Sequence, residues 1–246
     1  MKNPVCFLVF FLLSFPASAN DSMTSTIVLA YVEDAENSII HEKAHLIYTE
    51  AFRRLGFRYE YRFYPTQRCS IASDTGAVDG ESMRVAEYRE AHPNLVMVEE
   101  PIFDMNWAAY SLNPDIRLTG WESLKGMDHM VDYRRGVRLS EVNLNRYVKK
   151  DRLQIVNKIR FGLHKLVKKR TDIFIDVEMF TDAELAKKEF ADSGIKKICT
   201  MKGAPVYAFL HKKHMDLAPR LADVLRKMKE EGLMEKYDQM AAKMQK

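Results

Sequence analysis

TIVLAYVEDAENSIIHEKAHLIYTEAFRRLGFRYEYRF, residues 26–63, carries the alternation on which the fold class rests. Residues 26–32 are β-branched and apolar, the pattern of a buried strand. Ile40, Ala44, Ile47, Ala51 and Leu55 then recur at helical spacing, and Gly56 stands where a helix stops. Residues 57–63 alternate as a second strand. Strand, helix, strand in this order predicts a mostly parallel sheet covered by helices.

The same rhythm continues outward. Pro65 opens a short helix ending near Gly76, Val78 begins a short strand, residues 84–90 make a helical turn and 95–98 another strand. In the second half, strands are expected at 129–133, 153–156, 172–176, 195–198 and 206–210. Helices are expected at 140–149, 159–169 and 177–190. A closing helix carries Leu217, Leu221, Val224, Leu225 and Met228 on one stripe and stops at Gly232. No internal repeat and no low-complexity linker separates the halves.

At the other end, MKNPVCFLVFFLLSFPASA, residues 1–19, has the parts of a cleavable export signal. Lys2 is the positive start, residues 5–15 the apolar run, and Ala17, Ser18 and Ala19 the small residues at the cut. The run falls short of the roughly 20 apolar residues of a membrane-spanning helix. Cleavage removes one charged residue, so the net charge of +4 becomes +3. That excess is spread along the chain, and no nucleic-acid partner is expected. Cys69 and Cys199 remain in the mature chain. In an oxidising compartment such a pair is a candidate disulfide, though spacing leaves open whether the two can meet.

Four passages, taken in order, resemble the bacterial extracellular solute-binding proteins of family 3, the periplasmic receptors that deliver amino acids to ABC transporters. GAVDGESMRVAEYREAHPNLVMVEEPIF (76–103) is similar to a Gly-x-x-Asp strand followed by a segment ending in Arg, a strand and an aromatic turn. LTGWESLKGMDHMVDYRRG (118–136) resembles the entry into a second lobe. KRTDIFIDVEMF (169–180) looks like an Asp-apolar-apolar-apolar-Asp strand. VYAFLHKKHMDLAPRLADVLRKMKEEGLMEKYDQ (206–239) resembles a return strand and closing helix. The resemblance implies an α/β, two-lobed type II periplasmic-binding fold, with two mixed sheets flanked by helices and joined by two hinge strands. Residues 20–110 and 206–246 would form one lobe and 112–205 the other, with hinges near Trp107–Ser111 and Ala204–Phe209.

The resemblance also nominates a ligand site. Arg84 would grip a ligand carboxylate, because a guanidinium pairs both oxygens at once; the plain alternative is a surface arginine like Arg89. Asp176 would receive an α-ammonium from the C-terminal end of its strand, where open α/β sheets bind ligands; the alternative is a helix N-cap. Gly136, Val137 and Arg138 match a loop that meets an anion at a helix start. Val137 stands where the family has Ser or Thr, so Arg138 would supply charge in place of a hydroxyl. Tyr31, Phe103 and Trp107 are candidate aromatic walls, and Glu33 and Asp34 replace the family's Pro-Phe pair.

The expected function is capture of a small polar ligand, an amino acid or similar carboxylate, by a monomeric periplasmic receptor that passes it to an ABC-type permease. A dehydratase-like enzyme on the same fold would need an acid or base such as Glu81 or Glu178, and a sensory receptor is the other alternative. His41 and His45 lie four apart, a spacing that can hold a metal, yet no third ligand accompanies them. His211 and His214 read as solvated residues at a helix start. No metal and no cofactor are expected.

Overall fold

The computed structural model describes residues 25–36 and 38–244; the expected export signal lies outside them. The opening alternation folds as read. β1 (Ser25–Val32) and β2 (Phe57–Tyr64) pair in parallel through α1 (Ile39–Arg54). Ser38 caps α1 by accepting from the His41 backbone N–H at 3.1 Å. The apolar stripe of α1 buries Ala44, Ile47, Ala51 and Phe52. Gly56 ends the turn with φ +81°.

Two sheets follow. In the first, β1 also pairs in parallel with β3 (Gly80–Arg84), reached through α2 (Thr66–Asp74). β4 (Leu95–Met97) completes it by pairing with the last residues of β9 (Lys196–His211). In the second sheet, β6 (Val131–Arg134) lies parallel to β7 (Leu153–Val156) and β8 (Ile173–Val177). β5 (Phe103–Ser111) pairs antiparallel with β8 and with the first part of β9. Helices α3 (Arg138–Tyr147), α4 (Ile159–Val167) and α5 (Glu178–Leu185) cover the second sheet. α6 (Leu217–Glu230) and α7 (Leu233–Met244) pack on α1. The result is a two-lobed α/β molecule with two mixed sheets, the fold class that the resemblance implied.

β9 is where structure and expectation part. Two separate strands, at 195–198 and 206–210, are one continuous strand of 16 residues. Gly203 and Pro205 look like a break in sequence. In the ladder, however, the register shift between Met105 and Trp107 absorbs the irregularity, and a Cβ at Gly203 would lie 2.3 Å from the Met105 carbonyl oxygen. β9 therefore belongs to both sheets: Lys196–Val206 pairs with β5, and Tyr207–His211 with β3 and β4. Residues 98–102 cross beside it, with Val98 N–H donating to Ala208 O and Ile102 N–H to Val206 O, each at 2.9 Å. Trp107–Ser111, expected as a crossing, instead lies inside the second sheet, where Trp107 stands opposite Val177 and Met201. The sheets are also less parallel than strand–helix alternation suggests, because every β9 pairing is antiparallel.

Candidate functional site

The parallel strands of both sheets end at one place. Val32 closes β1, Arg84 closes β3, Arg134 closes β6 and Val177 closes β8, and all four line a single cavity of about 60 Å³ between the lobes. Ligand sites in open α/β sheets lie at such carboxyl ends. The second lobe adds Trp107, Gly136 and Arg138, and the first adds Thr66 from the start of α2. Met83, Val85, Met105, Leu139, Phe180 and Val206 complete a mostly apolar wall. Among the described lining residues there is no Asp or Glu.

Arg84 reaches this wall but its charge is already engaged. Its Nε donates to Glu81, Nη2 lies 3.4 Å from Ser70 Oγ, and the guanidinium packs 4.8 Å from the Tyr88 ring centre. Burial alone would lower its pKa; the attraction of Glu81 beside it more than reverses that, and the pKa is raised. Glu81 is fully buried and also accepts from Ser73 Oγ and Tyr88 OH, each at 2.5 Å. The surface reading of Arg84 is thereby excluded, since its side chain is only 10% exposed. Cys69 lies 3.5 Å from the same carboxylate, and burial pushes its thiol pKa up.

The candidate disulfide is corrected: both cysteines are free. Cys69 sits in α2 against the first sheet, whereas Cys199 sits on β9 opposite Ala109 in the second. Sequence spacing could not place them in different lobes.

Asp176 is fully buried, with both carboxylate oxygens held by a residue that the motif reading passed over. Arg134 Nε donates to Oδ2 at 2.8 Å and Nη2 to Oδ1 at 2.9 Å. Oδ1 also accepts from the Val177 N–H at 2.6 Å. Asp176 is not the N-cap of α5, a position taken by Val177 without a side-chain bond. Nor is it among the lining residues of the cavity, which include Arg134 instead. Arg134 also crosses between lobes, pairing with Asp34 and lying 3.4 Å from Thr66 Oγ1. Burial opposes its charge, and the attraction of Asp176 and Asp34 overcomes that and raises its pKa. The strand-end argument that nominated Asp176 applies equally to Arg134, last residue of β6; that signal was legible in the sequence.

Of the other nominated residues, the structure brings Trp107, Gly136 and Arg138 to the cavity and leaves Tyr31 and Phe103 away from it. Tyr31 is enclosed in the first lobe, where its hydroxyl accepts from Tyr59 at 2.8 Å and its ring packs against His41. Phe103 turns toward α1, with Lys43 Nζ 5.2 Å from its ring centre. Trp107 is 3% exposed, and its Nε1 has no acceptor among the described residues. Gly136 has φ +78°, and a Cβ there would come 2.9 Å from Thr66 across the cleft. Arg138 pairs with Glu90 of the first lobe at 3.0 Å and with Glu141 at 3.4 Å, while its Nε is buried without a partner among the described residues. Glu33 follows β1 in a short 3-10 turn with Asp34.

Glu81 and Glu178 are not brought together. Glu81 is sealed as described, and Glu178 faces a different hollow, bonded to Lys197 at 2.6 Å and Thr200 at 3.1 Å. His41 and His45 stack within an aromatic cluster. His211 caps the next short turn through Lys213 N–H, and His214 lies 2.7 Å from Asp79.

Solved structures share this architecture. An ancestral arginine-binding protein bound to arginine aligns with a TM-score of 0.69 at 19% identity, covering 89% of this chain and 98% of that one. A histidine kinase sensor domain with similarity to periplasmic binding proteins gives 0.71 at 14%, covering 86% and 93%. An amino acid ABC transporter substrate-binding protein from Streptococcus pneumoniae, bound to L-arginine, gives 0.65 at 14%, covering 89% and 95%. At such identities the likeness establishes the two-lobed periplasmic-binding fold. No family model matches the chain. A protein of Shewanella oneidensis, described only as uncharacterized, is 37% identical over 216 residues, which is 88% of this chain and 82% of that protein. The chain therefore belongs to one family with that Shewanella oneidensis protein.

Proposed function

We propose that the chain is a periplasmic solute receptor that captures a small carboxylate-bearing ligand between its lobes and hands it to an ABC-type permease. Residues 1–19 would direct export, and the mature protein would act as a monomer that binds without altering its ligand. The lobes would part near 98–102 and 206–208, slightly before the division expected at 110–112. Ligand contacts to both lobes would favour the closed form, and a membrane partner would read that form.

The observation that carries this reading is the cavity at the strand ends, lined from both lobes and holding Arg84 in its wall. The arginine or glutamine seen in solved relatives of this fold supports an amino acid or a related carboxylate as the ligand class. A sensory role is the second reading, favoured by the likeness to the kinase sensor domain.

Native mass spectrometry of the undenatured protein, followed by calorimetry with the released compound, tests the proposal. A single small ligand should appear. Arg84→Lys keeps the charge opposite Glu81 but loses the planar fork, so affinity should fall about tenfold or more. Unchanged affinity would remove Arg84 from the site.

A further inference from the structure

Among the described residues the cavity is lined by three guanidinium groups and by no carboxylate, and its one side-chain hydroxyl is that of Thr66. Its charged lining residues are three arginines, Arg84, Arg134 and Arg138. The two buried carboxylates behind them are occupied by the protein itself. Arg134 covers both oxygens of Asp176, and Arg84, Ser73 and Tyr88 converge on Glu81. A ligand ammonium entering here would lose its water and find no carboxylate, which is costly for a buried charge. The guanidinium of Arg134 already stands against Asp176, where an ammonium would have to stand.

The unsatisfied groups are of the opposite kind. Trp107 Nε1 and Arg138 Nε are both buried without acceptors among the described residues. Both nitrogens are closed to solvent, so acceptors are scarce in this part of the wall. Around them the wall is formed by Val85, Met105, Val137, Leu139, Phe180 and Val206, all apolar. The volume is also restrictive. About 60 Å³ is available, and one water needs about 10–15 Å³ by the same measure. A handful of non-hydrogen atoms fits the closed form.

We infer that the cavity takes a short-chain monocarboxylate, a small acceptor head on an apolar body with no ammonium, in preference to an amino acid. This rests on the receptor reading above and narrows its ligand class. The carboxylate head lies among the guanidinium groups of Arg84, Arg134 and Arg138, and the alkyl body lies against the aliphatic wall.

Calorimetry on the mature chain with matched pairs tests this: 3-methylbutanoate against valine, and butanoate against 2-aminobutanoate, with butanamide as the uncharged control. The carboxylates should bind at least about tenfold tighter than their amino counterparts, because the added ammonium meets three guanidinium groups and no carboxylate. Arg138→Gln should weaken carboxylate binding about three- to tenfold, since a cationic donor of the wall is lost, with little change in the unliganded thermal midpoint because its pairs with Glu90 and Glu141 are partly exposed. Tighter binding of the amino acids would overturn this inference and leave the receptor reading standing. Heat from butanamide equal to that from butanoate would overturn the anionic head. Unchanged carboxylate affinity in Arg138→Gln would overturn the placing of the head among the guanidinium groups. Absence of binding by every compound would overturn this inference, while the receptor reading stands or falls by the mass spectrometry test above.

Discussion

His41 sits in a box of rings, 4.6 Å from Tyr61 and 4.8 Å from both Tyr31 and Phe63, centre to centre. His45 stacks beside it, and its own Nδ1 has no partner among the described residues. Burial, reinforced by the nearby His45, holds the His41 pKa down at about 4, against an ordinary value of 6.5. Its folded pKa is thus the lower one, so the unfolded chain takes up the proton first as pH falls. Stability from this site is complete above pH 6.5 and declines as pH drops toward 4. The loss should be on the order of 1–2 kcal/mol after solvent screening is allowed for. Thermal melts across that range should show it, and His41→Phe should flatten the profile and raise the midpoint at pH 5. An identical slope in the variant would assign the acid sensitivity elsewhere. The i, i+4 spacing of these histidines was plain in the sequence. That they serve as rings in a core was not, because the surrounding tyrosines come from β1 and β2.

At the scale of elements, β3 and β9 approach so closely that Gly80 is obligatory. A Cβ there would lie 2.1 Å from the Phe209 carbonyl oxygen, inside the pairing of Gly80 with Leu210. Gly80→Ala must push backbone against backbone, and should cost about 2–3 kcal/mol, or about 5–10 °C in thermal midpoint. Gly56 is the contrast, with φ +81° and nothing within 4 Å of a would-be Cβ. Gly56→Asn should cost little, since Asn tolerates the left-handed region; comparable losses at the two sites would refute the crowding argument. Most helices and strands were legible from periodicity, since each pattern records which face is buried. The continuity of β9 was not. Gly203 and Pro205 are breakers by local rule, and only the opposing β5 makes them compatible with a strand.

For the whole molecule, two ion pairs among the described residues cross the cleft between the lobes. Arg134 pairs with Asp34, and Arg138 with Glu90 at 3.0 Å. Glu90 is 62% exposed, so its pair contributes at most about 1 kcal/mol; the Asp34 pair, on a buried guanidinium, should contribute more. Replacing both acids, as Asp34→Asn with Glu90→Gln, should shift the unliganded population toward the open form by roughly five- to tenfold. Small-angle scattering would register this as a larger radius of gyration. An unchanged radius would mean that apolar contacts alone set the closure. Glu33 and Asp34 had stood out as departures from the family pattern, and Asp34 owes its place to Arg134, a partner 100 residues away.

The chain by itself determined the α/β class, because local periodicity is written in nearby residues, while the two lobes and the nomination of Arg84, Trp107, Gly136 and Arg138 came from the resemblance to the solute-binding proteins. Tertiary structure alone decided which charges face the cavity. Asp176 and Glu81 are spent on arginines of the same protein, and the two cysteines fall in separate lobes. Whether a carboxylate is free depends on what folds against it from far along the chain, and no local pattern carries that information.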